Sequence, residues 1–167
     1  DTVASIQAHA SKCYHLGIGK SVYLSTIATA NEKRDCRIFE EFASLMILKA
    51  RTLHANEPFD LPIMGNAYAF DSSTISLCLS LFPWAKFKYG KSAIKMHTQY
   101  DVRTNIPSLV VITPASVNDV KGMDFIDVEA GSYYIFDRGY KDYRRLHDIH
   151  QQRGYFVFRA VDNLKFR

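Results

Sequence analysis

The sequence predicts an α/β domain: a mixed sheet with helices on its faces, entered through a helical segment. Two observations carry that reading. Apolar residues over the first 60 positions recur at the three-four spacing of amphipathic helices, and from Asn66 onward the period moves toward two while β-branched and aromatic residues take over. The resulting order is three strands able to form a meander, then helix, strand, helix, strand, as an α/β sheet requires.

Taken along the chain, a helix is expected from Thr2 to Leu16 and a short one after Ser21. The strongest runs from about Asp35, a residue suited to cap the first turn, to His54. Its ladder of Ile38, Phe39, Phe42, Leu45 and Met46 has helical spacing and is expected to pack in a core. Pro58 and Pro62 close this region, so residues 1–60 form one segment and 61–167 another. In the second, strands are expected at 66–75, 92–101 and 106–113, the last two joined by the turn Val102-Arg103-Thr104-Asn105. A helix from Asn118 to Ala130, a strand at 132–137, a helix at 141–152 and a strand at 155–161 follow.

Composition narrows the class. With 47% hydrophobic and 23% charged residues the chain is that of an ordinary globular domain, not a disordered tail. Cys13, Cys36 and Cys78 stand apart with no CxxC pair, which argues against a zinc knuckle or disulfide framework and fits reduced thiols in a cytosol. No apolar run approaches a membrane span and no leader opens the sequence, so no membrane partner is expected. The net charge of +4 is unevenly placed. Residues 84–97 carry Lys86, Lys88, Lys91 and Lys95 without a carboxylate, and 138–153 carry Arg138, Lys141, Arg144, Arg145 and Arg153. Interleaved with Trp84, Phe87, Tyr89, Tyr140 and Tyr143, these suit a surface that neutralises phosphates, or else a solvated face with core aromatics between the lysines.

Two carboxylates stand where chemistry would use them. Asp71 follows Tyr68-Ala69-Phe70, and Asp137 follows Tyr133-Tyr134-Ile135-Phe136 at the end of an apolar strand. Such a residue is costly to bury unless paired or bound to a cation. If their strands are neighbours, the two like charges invite a divalent metal, and oxygen ligands with retained water favour Mg2+, with Mn2+ as a substitute. Taken singly, each Asp also reads as the cap of its following turn, or Asp137 as the partner of Arg138 or a nearby lysine.

The surrounding residues add a resemblance. The stretch DSSTISLCLSLFPWAKFKYGKSAIKMHTQYDVRTNIPSLVVITPASVND, followed by YYIFDRGYKDYRRL, resembles the catalytic core of DDE transposases of the insertion sequence 4 family, and the earlier ATANEKRDCRIFEEFA resembles the segment just upstream of the first aspartate in a branch of that family. The resemblance implies an RNase H-like fold of βββαβαβ order, with residues 61–167 as its core and 1–60 as the remnant of an N-terminal DNA-binding region. It also implies Asp71 and Asp137 as the first two metal-binding catalytic carboxylates. Lys86, Lys88, Lys91, Lys95, His97 and Arg138 are then the expected DNA-binding side chains. The activity implied is metal-dependent phosphodiester hydrolysis and strand transfer on double-stranded DNA, at element ends and target, by a homodimer. A bacterial cytoplasm and association with the nucleoid follow from the same resemblance.

The sequence departs from that family in one respect. The third carboxylate, a glutamate in a Tyr-Arg-Glu-Lys signature on a later helix, has no counterpart; neither Glu129 nor Asp162 has the signature around it. The chain opens at Asp1 without methionine and stops at Arg167, so it is expected to be a fragment truncated before the last catalytic helix and inactive alone. The alternative is a truncated remnant that binds DNA or pairs with an intact transposase without cutting. Ser72 and Ser73 lack a GxSxG elbow and a placed histidine, which argues against a hydrolase triad. His147 and His150, without a third ligand, are expected to face solvent.

Overall fold

A computed structural model describes residues 2–18, 22–56, 58–59, 61–78, 80, 82–87 and 90–159. The chain divides into two compact units, Asp1–Leu45 and Met46–Arg167.

In the first unit the expected helix from Thr2 is interrupted. It forms α1 (Thr2–Ala8) and α2 (Ala10–Cys13), then a 3₁₀ turn over Tyr14–Leu16. The break falls at His9, whose backbone (φ −111°, ψ 27°) leaves the helical region, and Gly17 ends the run with the positive φ that glycine tolerates. The helix expected after Ser21 is α3 (Leu24–Lys33). Helix α4 (Arg37–Leu53) begins two residues after Asp35 and runs across the boundary of the units. The Asp35 carboxylate accepts from the Arg37 backbone N–H at 2.9 Å and from its guanidinium at 2.6 Å. The apolar ladder of α4 is a correction to the sequence reading. Its period is helical, but Ile38, Phe39, Phe42, Leu45 and Met46 are exposed and no residue of α4 is buried.

Among the described residues the second unit is built on a six-stranded mixed sheet. Strands β1 (Ala67–Leu77), β3 (Lys91–Asp101) and β4 (Ile106–Pro114) form the expected antiparallel meander, with β3 in the middle. A two-residue strand β2 (Lys86–Phe87), too short to show a period, shares the outer edge of β3 with β4. On its other side β1 pairs in parallel with β5 (Tyr133–Phe136), and β5 with β6 (Tyr155–Phe158). The turn between β3 and β4 is set by Asp101, which accepts from the N–H groups of Arg103 (2.9 Å) and Thr104 (3.3 Å). Asn105 takes the left-handed conformation (φ 56°) that suits Asn.

The helix expected over 118–130 is shorter and tighter. Asn118 caps it by accepting from Val120 N–H at 3.2 Å, but the segment is a 3₁₀ helix over Asp119–Phe125, and Ile126 is already extended. The tighter winding lays Gly122 directly on the His97 ring, where a Cβ would collide with it. Beyond it the Glu129 N–H donates to the Tyr134 hydroxyl at 2.7 Å in place of a helical carbonyl. Helix α5 (Tyr143–Gln151) is capped by Asp142, which accepts from Arg144 and Arg145 N–H, and it buries Leu146 and Ile149.

Both packed elements lie on the same face of the sheet. Tyr68, Phe70, Tyr134 and Phe136 make one buried cluster with Met123, Tyr140, Leu146 and Ile149. Complete burial of each large apolar side chain contributes about 1.5–3 kcal/mol. Arg145 ties the 3₁₀ segment to α5, pairing with Asp124 and Asp142 at 2.6 Å each and holding both carboxyls below their ordinary range.

Candidate catalytic site

The parallel pairing of β1 with β5 runs from Ala67↔Tyr133 to Phe70↔Phe136. Asp71 and Asp137 are each the next residue along, so the topology brings the two carboxylates to the end of the shared ladder. Alternation explains their exposure: Phe70 and Phe136 point into the core, and the residue after each points away from it. Asp71 Oδ1 accepts from the Ser72 N–H at 2.8 Å. Asp137 Oδ1 accepts from the Gly139 N–H at 2.6 Å and caps the 3₁₀ turn Arg138–Tyr140. Each carboxylate therefore keeps oxygen lone pairs for a cation. Two exposed carboxylates completed by water are a donor set suited to a hard divalent ion. Among the described residues no group of three or more His, Cys, Asp or Glu gathers.

Behind Asp71 lies a chain of hydrogen bonds that the sequence reading missed. The Tyr140 hydroxyl lies 2.8 Å from Ser72 Oγ and 3.5 Å from Asp71 Oδ1. Ser72 Oγ is 2.6 Å from His97 Nδ1, and His97 Nε2 is 2.9 Å from Thr113 Oγ1. Register produces it: β1 and β3 place Ser72 opposite His97, on the covered face. Ser72 thus does have a placed histidine. That ring has no exposure and leans on Thr113 in place of a carboxylate, so the pair is a buried polar contact and not a nucleophile with its base. Burial holds the His97 imidazole below its usual range and pushes the Tyr140 phenol up to about 12.

The expected DNA-binding side chains separate into groups. Lys86, Lys91 and Arg138 are exposed, and Arg138 directly follows Asp137. Lys95 is turned inward, its Nζ 2.7 Å from the Val117 carbonyl and 2.9 Å from Asp119, with only 11% of its side chain exposed. His97 is fully buried, which corrects its expected place at a phosphate: alternation sends it to the core face with Phe70 and Phe125 around it. Lys88 lies outside the described residues, as does Asp162. Glu129 is committed elsewhere, accepting from Tyr68 at 2.7 Å and Asn66 at 3.0 Å. His147 and His150 are exposed on α5. A cavity of about 290 Å³ lined by Arg51, Tyr68, Gln99, Asp127 and Glu129 includes neither Asp71 nor Asp137.

The fold is a mixed α/β sheet with helices packed on one face, and the comparisons with known proteins name its family. Residues 64–167 match the family model described as the transposase DDE domain, and the chain belongs to that family. It is 33% identical over 140 residues to a Sinorhizobium fredii protein named "Putative transposase y4zB", covering 83% of this chain and 37% of that protein. It is 24% identical over 144 residues, 86% of this chain and 37% of the other, to the Geobacillus stearothermophilus "Probable transposase for insertion sequence element IS5377". The chain thus spans about 37% of the length of each of these relatives. No solved structure matches it significantly. Among the described residues no helix is long and apolar enough to cross a membrane.

Proposed function

We propose that this chain carries the first two carboxylates, Asp71 and Asp137, of a DNA transposase active site on an RNase H-like sheet, in the insertion sequence 4 branch of the family. The observation that carries the reading is the register of β1 and β5, which sets these two residues side by side, exposed and without a basic partner among the hydrogen bonds they make. A strand order in which an antiparallel meander is extended in parallel from its first strand supports the fold.

The substrate is double-stranded DNA at the ends of an insertion element, and then the target. Water adds to the phosphorus, the 3′-oxygen leaves with its proton restored, and the freed 3′-hydroxyl attacks a target phosphodiester with loss of another 3′-oxygen. Bound by Asp71 and Asp137, Mg2+, with Mn2+ as a substitute, would supply activation of the attacking oxygen and charge stabilisation at the leaving one. Lys86, Lys91 and Arg138 position the phosphates, and no covalent enzyme intermediate is needed. A homodimer on DNA, working at the bacterial nucleoid, completes the reading.

The test is strand cleavage and transfer by the full-length gene product on DNA carrying the element's ends. Asp71→Asn and Asp137→Asn should each abolish most of both activities. Unchanged activity in both variants removes the site assignment.

A further inference from the structure

Tyr140 has one hydroxyl hydrogen and two acceptors for it, Ser72 Oγ at 2.8 Å and Asp71 Oδ1 at 3.5 Å. Its ring is explained by packing: it stands edge-on to Phe70 (centroids 5.6 Å apart) and beside Phe136 (5.8 Å). A phenylalanine would fill that space equally, so packing leaves the hydroxyl unexplained. The groups behind it are ordered and fully engaged. His97 has no exposure, and each of its ring nitrogens meets a hydroxyl, Ser72 at 2.6 Å and Thr113 at 2.9 Å.

A neutral imidazole has one donor and one acceptor nitrogen, so this chain has two self-consistent arrangements. In the first, Tyr140 donates to Ser72, Ser72 donates to Nδ1, and Nε2–H donates to Thr113. In the second, Thr113 donates to Nε2, Nδ1–H donates to Ser72, Ser72 donates to Tyr140, and Tyr140 donates to Asp71. Every group keeps its proton count; the hydroxyls rotate and the ring proton changes nitrogen. The first leaves Asp71 Oδ1 free for a cation, and the second satisfies it without one.

We propose that Tyr140 is a positioning residue for Asp71, its hydroxyl set by the buried Ser72–His97–Thr113 chain, so that a divalent cation on Asp71 and the tautomer of His97 report on each other. The inference rests on the assignment of Asp71 as a metal ligand.

The probes are Mn2+ alone, titrated into the 167-residue chain and followed by electron paramagnetic resonance of the free ion, and Mg2+ with 15N-labelled histidine read by NMR. Tyr140→Phe removes the hydroxyl that satisfies Asp71 in the cation-free arrangement, so it should bind Mn2+ about 5-fold more tightly with a nearly unchanged unfolding midpoint, and Mg2+ should move the His97 proton from Nδ1 to Nε2 in the unaltered chain. Wild-type Mn2+ affinity in Tyr140→Phe, or a His97 tautomer indifferent to Mg2+, overturns the proposal. Asp71→Asn separates the two levels. If it loses Mn2+ binding while Tyr140→Phe binds no more tightly than the unaltered chain, only the positioning role fails; if it binds as the unaltered chain does, the metal site itself is wrong.

Discussion

On one face of the sheet Tyr68, Phe70, Tyr134 and Phe136 are at most 4% exposed, under Met123, Leu146 and Ile149; on the other, Ile75, Ile112, Tyr155 and Val157 are between 42% and 60% exposed. The same strands supply both sets by alternation. Alternation lets β1 turn three successive residues toward two environments. Phe70 belongs to the core, Asp71 to the open side, and Ser72 returns to the covered side, where it meets His97. The open side leaves both carboxylates exposed to solvent. The covered side supplies the packed, hydrogen-bonded layer that fixes where they stand.

The sharpest division between the faces lies in what a substitution removes. Asp71→Asn is isosteric and exposed, so it should leave the unfolding midpoint nearly unchanged. It should lower strand cleavage by the full-length protein by at least about 100-fold, the order lost when one charge-stabilising group goes. A large loss of stability in this variant would break the comparison, because it would give the open side a structural task. Leu146→Ala should show the converse. Its side chain is 1% exposed, and the truncation should cost about 2–5 kcal/mol in urea denaturation. Ile112→Ala, at 60% exposure, should stay within about 0.5 kcal/mol. Equal losses at 146 and 112 would mean that the second face is also packed.

The buried polar chain gives a smaller effect of definite sign. Burial lowers the folded-state pKa of His97 below its ordinary 6.5. Well above pH 6.5 both folded and unfolded states carry a neutral ring, and the contribution to stability is fully present. As pH falls through 6.5 toward the lower folded value, the unfolded state takes up the proton first and stability drops, by at most about 1.4 kcal/mol per pH unit for one group. Unfolding midpoints between about pH 7.5 and 5.5 should therefore fall, and His97→Gln should flatten that slope whatever it does to the midpoint at the upper end. An equal slope in both proteins would take His97 out of the acid response.

Much of this was legible in the sequence because it depends on local pattern. The alternation Tyr68-Ala69-Phe70-Asp71 and the apolar run before Asp137 mark strands on which an apolar stretch gives way to an exposed acidic residue. The turn after Asp101 declares itself through Asp101 and Asn105, which fix the register of β3 against β4. The pairing of Ser72 with His97 was not legible, since the stretch between Leu77 and Lys91 is no tight turn and sets no register. The 3₁₀ segment was read as an α-helix because its cap at Asn118 is common to both; what selects the tighter form is tertiary, the seat of Gly122 on the His97 ring. The ladder on α4 has the period of a core helix, and period alone does not say whether anything covers it.

The lysines sharpen the same contrast at the lowest cost in energy. Lys86 and Lys91 are exposed, whereas Lys95 is held between the Val117 carbonyl and Asp119. A phosphate-binding lysine releases counterions from DNA, so removing one such side chain should reduce the slope of log affinity against log salt by about 0.9. Replacing Lys86 and Lys91 with glutamine should lower that slope by up to about 1.8 and leave the unfolding midpoint in place. Lys95→Gln should do the reverse: its charge is already spoken for inside the protein, so the slope should hold while stability falls by about 1 kcal/mol. If Lys95→Gln lowers the slope as much as the exposed pair does, its ion pair with Asp119 opens on DNA and Lys95 belongs with the phosphate-binding side chains after all.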